Sequence, residues 1–371
     1  MIARKPLRVM VVDDTVLYRK IVSDALSTLP DVEVVGSAHN GKAAITKLTT
    51  LKPDLLTLDI EMPEMNGIEV LAHIQRHAPH IGVIMLSTLT QEGGTMTMKA
   101  LERGAFDFIP KPQSGTMAEN RTKIESAMAP MIQAFCRSAE ISRRRHTVTR
   151  PQAAGASSMP QRATRTASRP MRPPVRHAKA EIIAIGISTG GPNALAQMLP
   201  KIPGDIGVPI LIVQHMPPMF TQSLATSLTA KCAISVKEAQ QGEPLQPNTA
   251  FIAPGGKQMK IAAGADGRRR LIKITDDPPE NSCRPSADYL FRSVAHHYVG
   301  RATGVIMTGM GSDGTQGLKL MKKNGSMIIA QNEPTCVVFG MPKEAVETGL
   351  ADAVLPLDQI AEMITKTVRI G

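Results

Sequence analysis

The chain has 371 residues, with 42% hydrophobic and 3% aromatic residues and a formal net charge of +11. Its length exceeds what one hydrophobic core usually organises and predicts two domains or three. No apolar run approaches the roughly 20 residues of a membrane-spanning helix, which excludes insertion into a membrane. The amino terminus lacks the long apolar stretch and cleavage site of a signal peptide, so we expect a cytoplasmic protein with four reduced cysteines.

The first third of the chain alternates short apolar runs with more polar segments of helical periodicity. The predicted strands cover residues 7–12, 32–36, 55–60, 81–86 and 106–109. Short buried strands separated by helices predict a doubly wound parallel sheet of five strands.

Reactive side chains follow successive strands of this predicted sheet. Asp13 and Asp14 follow the first strand, Asp59 ends the third, Ser87 closes the fourth and Lys111 follows the fifth. Ligand sites of such sheets form at the carboxyl ends of the strands, so we expect these side chains to meet there. Taken singly, each residue is also compatible with an ordinary strand end or turn, and only the set of five favours a site.

Three carboxylates that meet repel one another unless a cation joins them. Oxygen ligands at an open sheet edge suit Mg²⁺. We expect the ion beside Asp13, bound by Asp14, Asp59 and the backbone carbonyl of Glu61.

With its charge offset in this way, Asp59 is able to attack phosphorus and form an aspartyl phosphate. The Lys111 ammonium and the Ser87 hydroxyl are then suited to bind the phosphoryl oxygens.

These motifs resemble a known family. The segments VVDD, LLTLDIEMPEMNGIEVL, VIMLS and GAFDFIPKP are similar to the phosphoacceptor receiver domains of bacterial two-component signalling, over residues 6–128. The resemblance implies that a sensor histidine kinase phosphorylates Asp59 and that Ser87 and Phe108 move on activation. It also implies a cis peptide between Lys111 and Pro112, in agreement with the confinement of cis bonds to X-Pro.

Nearly all the excess positive charge lies in one segment. Residues 137–179 contain eleven Lys or Arg and a single acid, Glu140, among Pro, Ser, Thr and Ala. Such a composition does not bury enough apolar surface to offset the entropy of ordering, so residues 129–179 are predicted to form a basic flexible linker. Two interpretations stay open: an electrostatic tether to an acidic partner, or a solvated spacer extended by self-repulsion.

A second alternating pattern begins after the linker. Residues 182–188 are predicted to form a strand, TGGP a tight turn, and the residues from Asn193 a helix. Ser188 therefore stands between a strand and a helix amino end, where the Thr189 N–H points toward a developing negative charge.

Two further strand ends supply an imidazole and a carboxylate. His215 ends the strand in PILIVQHM, and Asp313 lies in the glycine-rich loop TGMGSDG. A hydroxyl, an imidazole and a carboxylate satisfy the logic of a catalytic triad, in which Ser188 attacks, His215 takes its proton and Asp313 holds the imidazole tautomer. Singly, the three are also compatible with a helix cap, an ordinary histidine and a turn. The order of the three differs from that of α/β-hydrolases, and the glycines do not fit a dinucleotide-binding motif.

The segments AFIAPGG, MKIAA and LIKIT predict a strand and a β-hairpin attached to the main sheet, which would make a mostly parallel sheet mixed. The segment around His296 and His297 predicts an amphipathic helix with one histidine toward the core.

The C-terminal motifs resemble a second family. GISTGGP, QHMPPMFT, FIAPGG, TGMGSDG and CVVFGMP are similar to the catalytic domain of the chemotaxis protein-glutamate methylesterases (CheB family), over residues 180–368. The resemblance implies the triad of Ser188, His215 and Asp313, with the Met310 N–H beside that of Thr189 as an oxyanion donor.

This resemblance also implies a substrate: methylated glutamates on cytoplasmic segments of methyl-accepting chemoreceptors, with glutamine deamidation as a second activity. The hydrolase is expected to need no cofactor and the receiver to bind Mg²⁺.

By analogy with the family, we expect phosphorylation of Asp59 to uncover Ser188. Two alternatives remain, namely a basic linker that binds DNA and a non-catalytic domain that binds receptors. The linker has no helix-turn-helix or other ordered element that would contact bases in a DNA groove, so specific nucleic-acid binding is not expected.

Overall fold

The computed structural model describes residues 5–148 and 177–369. The N-terminal domain has one parallel sheet of five strands in the order β2-β1-β3-β4-β5. Its elements are β1 (Leu7–Val12), α1 (Val16–Ser27), β2 (Val32–Ala38), α2 (Gly41–Leu51), β3 (Leu55–Asp59), α3 (Gly67–His77), β4 (Gly82–Ser87), α4 (Gln91–Glu102), β5 (Asp107–Pro110) and α5 (Met117–Val148).

Burial on both faces explains the continuous apolar composition of the central strands. Every residue of β3 is buried, as are five of the six in β4. The helices cover both faces of the sheet and leave uncovered the edge at the carboxyl ends of the strands. The predicted parallel, doubly wound sheet is therefore confirmed.

The predicted linker boundary at residue 128 is wrong, because α5 continues to Val148. Ile124, Met128 and Ile132 are buried at helical spacing and anchor α5 on the N-terminal domain. Arg and Ala, which are frequent in the following residues, are good helix formers, so the basic composition does not end the helix. The rest of the predicted linker, residues 149–176, lies outside the described residues.

The C-terminal domain has a parallel sheet of seven strands in the order β14-β13-β12-β6-β7-β9-β8. Its elements are β6 (Ile182–Ile187), α6 (Gly191–Met198), β7 (Ile210–Gln214), α7 (Phe220–Thr229), β8 (Ser235–Glu238), β9 (Thr249–Ile252), β10 (Gln258–Ala263), β11 (Arg270–Thr275), α8 (Ala287–His297), β12 (Ala302–Ile306), α9 (Thr315–Lys323), β13 (Met327–Gln331), α10 (Met341–Glu347), β14 (Ala353–Leu355) and α11 (Leu357–Arg369).

The prediction of a mixed main sheet is wrong, although the β-hairpin itself is confirmed. Strands β10 and β11 pair antiparallel as a separate two-stranded sheet. Met259, Ile261 and Ile272 are buried in one cluster with Phe291 and Val294 of α8. Since the hairpin buries only one face, it packs on this helix rather than joining a sheet that is buried on both faces.

Two smaller predictions have clear outcomes. His296 is exposed and His297 half-buried at the end of α8, so neither lies in the core. All four cysteines are free thiols.

Within residues 5–148 and 177–369, no helix combines the length and the hydrophobicity needed to cross a bilayer.

Candidate active site and phosphoacceptor site

The structure brings the three N-terminal carboxylates together at the carboxyl edge of the first sheet. Carboxylate oxygens of Asp13, Asp14 and Asp59 lie within 4.8 Å of one another. The Lys111 ammonium joins two of them, at 2.8 Å from Asp13 Oδ2 and 2.7 Å from Asp59 Oδ2. Four of the five predicted strand-end residues therefore share one cluster.

Electrostatics in this cluster favour a bound cation. Burial and the neighbouring Asp13 raise the pKa of Asp59 to about 6, although Lys111 acts in the opposite direction. Asp59 Oδ1 is buried without a hydrogen-bond partner among the described residues. An unpartnered carboxylate oxygen beside two further carboxylates fits the hard oxygen donor set of Mg²⁺. The remaining predicted ligand, the Glu61 carbonyl, comes two residues after β3, and the Glu61 side chain accepts a bond from Thr88 Oγ1 at 3.2 Å.

Ser87 lies at the same edge but is bonded to α4. Its hydroxyl is buried, donates to the Gly93 carbonyl at 3.2 Å and accepts from Thr97 Oγ1 at 2.8 Å. The side chain is thus positioned between the acidic cluster and the first turn of α4, so any movement of Ser87 changes the contacts of that helix.

The predicted cis peptide between Lys111 and Pro112 is wrong. Among the described residues the cis peptide is Arg284–Pro285. Trans is favoured by about 0.5–1 kcal/mol even for X-Pro bonds. The Lys111 N–H is held by the Ser87 carbonyl at 2.7 Å, so the trans form already places the ammonium between the carboxylates.

Ser188 stands directly after β6 and before α6, as the sequence predicts. Its N–H donates to the Thr308 carbonyl at 2.9 Å, and its carbonyl accepts from Gln214 Nε2 at 3.0 Å. A Cβ on Gly309 would lie 2.8 Å from Ser188 Cβ, so glycine is needed for the loop after β12 to approach Ser188.

Two backbone N–H groups near Ser188 are available for an oxyanion. In the described part of the chain, neither the Thr189 N–H nor the Met310 N–H has a hydrogen-bond partner. Met310 directly follows Gly309, and its side chain is 50% exposed. Unpaired donors on both loops beside a hydroxyl suit the stabilisation of a tetrahedral oxyanion.

The half-buried His215 pairs with the buried Asp313, with 2.8 Å between His215 Nε2 and Asp313 Oδ2. The Asp313 carboxylate, from the loop before α9, contacts the amino end of α8, where free N–H groups favour a negative charge. Burial alone raises the pKa of Asp313, but the hydrogen bonds that it accepts outweigh burial and hold the pKa at about 2. Its other donors are the Ser286 hydroxyl, the Ala287 and Asp288 N–H groups and Asn281 Nδ2.

The other imidazole nitrogen faces a thiol. Cys283 Sγ lies 3.6 Å from His215 Nδ1. Burial lowers the pKa of His215, but Asp313 and Cys283 together outweigh burial and raise the pKa to about 9. The Ser188 hydroxyl has no hydrogen-bond partner among the described residues, so the structure pairs His215 with Asp313 but not yet with Ser188. Catalytic hydrogen bonds are often long before substrate binds.

The N-terminal domain packs directly on the loops that carry Ser188 and His215. The Gly190 N–H, two residues after Ser188, donates to the buried Asp107 Oδ2 at 3.1 Å. The rings of Phe108 and Phe220 stack with 4.7 Å between centroids. Lys231 of the C-terminal domain pairs with Glu102 of α4 at 2.7 Å.

Asp107 and Cys283 were not predicted as site residues. Asp107 lies within the FDFIPKP segment, and Cys283 lies just before α8. Their roles depend on contacts with residues far away in the chain, so local sequence carries no signal for them.

Known proteins agree with this architecture. A model of the CheB methylesterase family matches residues 183–364, and a model of the response regulator receiver domain matches residues 9–122. A protein-glutamate methylesterase/protein-glutamine glutaminase of Desulfotalea psychrophila is 57% identical over 367 residues, covering 99% of this chain and 100% of that protein.

Another relative and a solved structure are similar to this chain. The protein of the same name from Geobacillus kaustophilus is 42% identical, covering 98% of this chain and 99% of its own length. The crystal structure of the Thermotoga maritima CheB methylesterase catalytic domain is 40% identical over 51% of this chain and 99% of that chain, with a TM-score of 0.49. Because the sequence similarity extends over nearly the whole chain, the chain belongs to the CheB methylesterase family and combines a response regulator receiver domain with a methylesterase domain.

Proposed function

We propose that this chain is a phosphorylation-activated protein-glutamate methylesterase and protein-glutamine glutaminase. Its substrates are glutamate methyl esters and glutamines on the cytoplasmic segments of methyl-accepting chemoreceptors, which places the protein in the cytoplasm. The observation that carries the proposal is the His215–Asp313 pair at 2.8 Å, at the strand edge where Ser188 stands between two loops with unpaired N–H groups.

The hydrolysis follows from the positions of these groups. Ser188 Oγ attacks the ester carbon, and His215 takes the hydroxyl proton on Nδ1, because Nε2 is held by Asp313. The oxyanion accepts hydrogen bonds from the Thr189 and Met310 N–H groups.

Collapse of this intermediate releases methanol, which takes the proton from His215, and leaves a glutamyl ester on Ser188. Water, deprotonated by His215, then attacks this ester, and Ser188 Oγ leaves with the proton from His215, which frees glutamate. With glutamine as substrate, ammonia leaves in the first step.

The receiver domain accepts the phosphoryl group from a sensor histidine kinase on Asp59. Lys111, 2.7 Å from Asp59 Oδ2, supplies positive charge for the phosphoryl oxygens, and the Ser87 hydroxyl supplies a donor. Mg²⁺ held by Asp13, Asp14, Asp59 and the Glu61 carbonyl would offset the negative charge that gathers there.

The interface described above links the two sites. Ser87 bonds to α4, and α4 with β5 packs on the loops after Ser188 and His215. Phosphorylation moves Ser87 and Phe108, weakens this interface and uncovers Ser188 to the receptor segment.

The test is methanol release from a methylated receptor fragment by the full chain and by Ser188→Ala. The matched control is Ser235→Ala, an exposed serine at the start of β8 in the same domain. We expect release by the wild type and the control, and none by Ser188→Ala. Equal release by all three proteins would disprove the role of Ser188.

A further inference from the structure

The imidazole of His215 lies between two groups of different chemistry. On one side the Asp313 carboxylate bonds to Nε2, and on the other the Cys283 thiol lies 3.6 Å from Nδ1. Ligand atoms of all three residues lie within 4.8 Å of one another. A soft thiol, an imidazole and a carboxylate are the side chains that bind Zn²⁺ in proteins.

The distance between sulfur and nitrogen fits a shared zinc ion. Zinc lies about 2.3 Å from a thiolate and about 2.0–2.1 Å from an imidazole nitrogen, with tetrahedral angles between its ligands. Two such ligands are about 3.6 Å apart, which matches the separation of Cys283 Sγ and His215 Nδ1.

The Asp313 carboxylate supports the site without contacting the ion, because it bonds to the other imidazole nitrogen, Nε2. Histidines that bind zinc usually donate their other ring N–H to a carboxylate, which orients the ring and raises its basicity. Asp313 makes this contact and is itself held by several donors at the start of α8.

Backbone geometry fixes Cys283 in place. Asn281 and Ser282 both have positive φ, at 50° and 61°, which is uncommon for residues other than glycine. Backbone hydrogen bonds in both directions between Glu280 and Cys283, at 3.1 and 2.7 Å, close this turn. Asn281 Nδ2 also donates to Asp313 Oδ1 at 3.0 Å, so this hydrogen bond fixes the position of the turn relative to Asp313.

We propose that His215 Nδ1 and Cys283 Sγ form a binding site for Zn²⁺ or a similar soft divalent ion, with Asp313 as the supporting carboxylate, and that the bound ion inhibits the hydrolase. Binding releases the thiol proton and any proton on Nδ1 to solvent, and the ion then takes the Nδ1 lone pair. Water fills the remaining positions. The inhibition, unlike the binding, rests on the proposed function, in which this lone pair accepts the Ser188 proton.

Cobalt reports binding without relying on activity. The full chain, saturated with Mg²⁺ to occupy the acidic cluster, is titrated with Co²⁺, and the thiolate-to-cobalt absorption band is measured. We expect a band in the wild type that Zn²⁺ abolishes, no band in Cys283→Ser or Cys283→Ala, and an unchanged band in Cys232→Ser, the matched control. Circular dichroism verifies that each variant is folded. A band that persists in both Cys283 variants, or none in the wild type, would overturn the site.

Activity provides the second readout. Methanol release is measured with and without Zn²⁺, and each variant is compared with its own zinc-free rate. We expect the zinc concentration for half-inhibition to rise at least tenfold in Cys283→Ser and to stay unchanged in Cys232→Ser. Equal inhibition of both variants would refute inhibition through this site. If no protein releases methanol, the proposed hydrolase fails while the cobalt band still decides the metal site.

Discussion

A larger residue at Gly94 tests whether the receiver domain restrains the hydrolase. Gly94 is buried on the side of α4 that faces the C-terminal domain. A Cβ at this position would lie 2.6 Å from Ser223 Oγ and 3.4 Å from the Met219 carbonyl, both across the interface. We therefore choose Gly94→Met, whose side chain cannot fit while α4 rests on α7.

The size of the effect follows from the packing. Forcing extra atoms into a well-packed contact costs about 1–3 kcal/mol. Within α4 alone the same change is favourable, because methionine is a better helix former than glycine by roughly 0.5–1 kcal/mol. The cost therefore falls on the interface and shifts the balance toward separated domains by roughly 5- to 150-fold.

The assay is methanol release without a phosphodonor. We expect Gly94→Met to raise this basal rate toward the stimulated rate of the wild type and to reduce further stimulation. Thr95→Met is the matched control, because Thr95 is exposed and lies next to Gly94 in the same helix. A folded Gly94→Met protein with the basal rate of Thr95→Met would refute the restraint by this interface.

Two further predictions follow from shifted pKa values. Methanol release should rise about tenfold per pH unit up to about pH 9, because His215, with a pKa raised to about 9, must be neutral to act as a base; a midpoint below pH 7 in the pH–rate profile would contradict this. Asp59→Asn should abolish stimulation by acetyl phosphate. It should also raise the free energy of unfolding at pH 8 by about 2–3 kcal/mol, but not at pH 4. The reason is that the pKa of Asp59 is raised to about 6 in the folded state, so the stability that Asp59 contributes is fully present below the unfolded pKa of 3.8 and is lost as the pH rises through 6. Equal free energies of unfolding for both proteins at both pH values would refute this reasoning.

The sequence predicted the elements and site residues that local patterns specify. The strands β1 and β4 are apolar along nearly their whole length, so their positions follow from periodicity alone, as do Asp13, which follows β1, and Ser87, which ends β4. The same holds for Ser188 and His215, which directly follow β6 and β7. Parallel strands then place these side chains at one edge.

Features that depend on tertiary packing were not predictable. The hairpin of β10 and β11 alternates as an edge of the main sheet would, and only its contact with α8 shows that it packs elsewhere. Asp107 resembles an ordinary strand residue until Gly190, 83 positions later, donates to it. Cys283 likewise acquires a chemical role only through His215, 68 residues earlier.

The most direct test of the account measures methanol release by the full chain from a methylated receptor cytoplasmic fragment, with and without acetyl phosphate and Mg²⁺. We predict release that increases with the phosphodonor, and no such increase in Asp59→Asn. Release that is the same in both conditions would contradict the coupling of the receiver to the hydrolase, and no release in either would contradict the methylesterase itself.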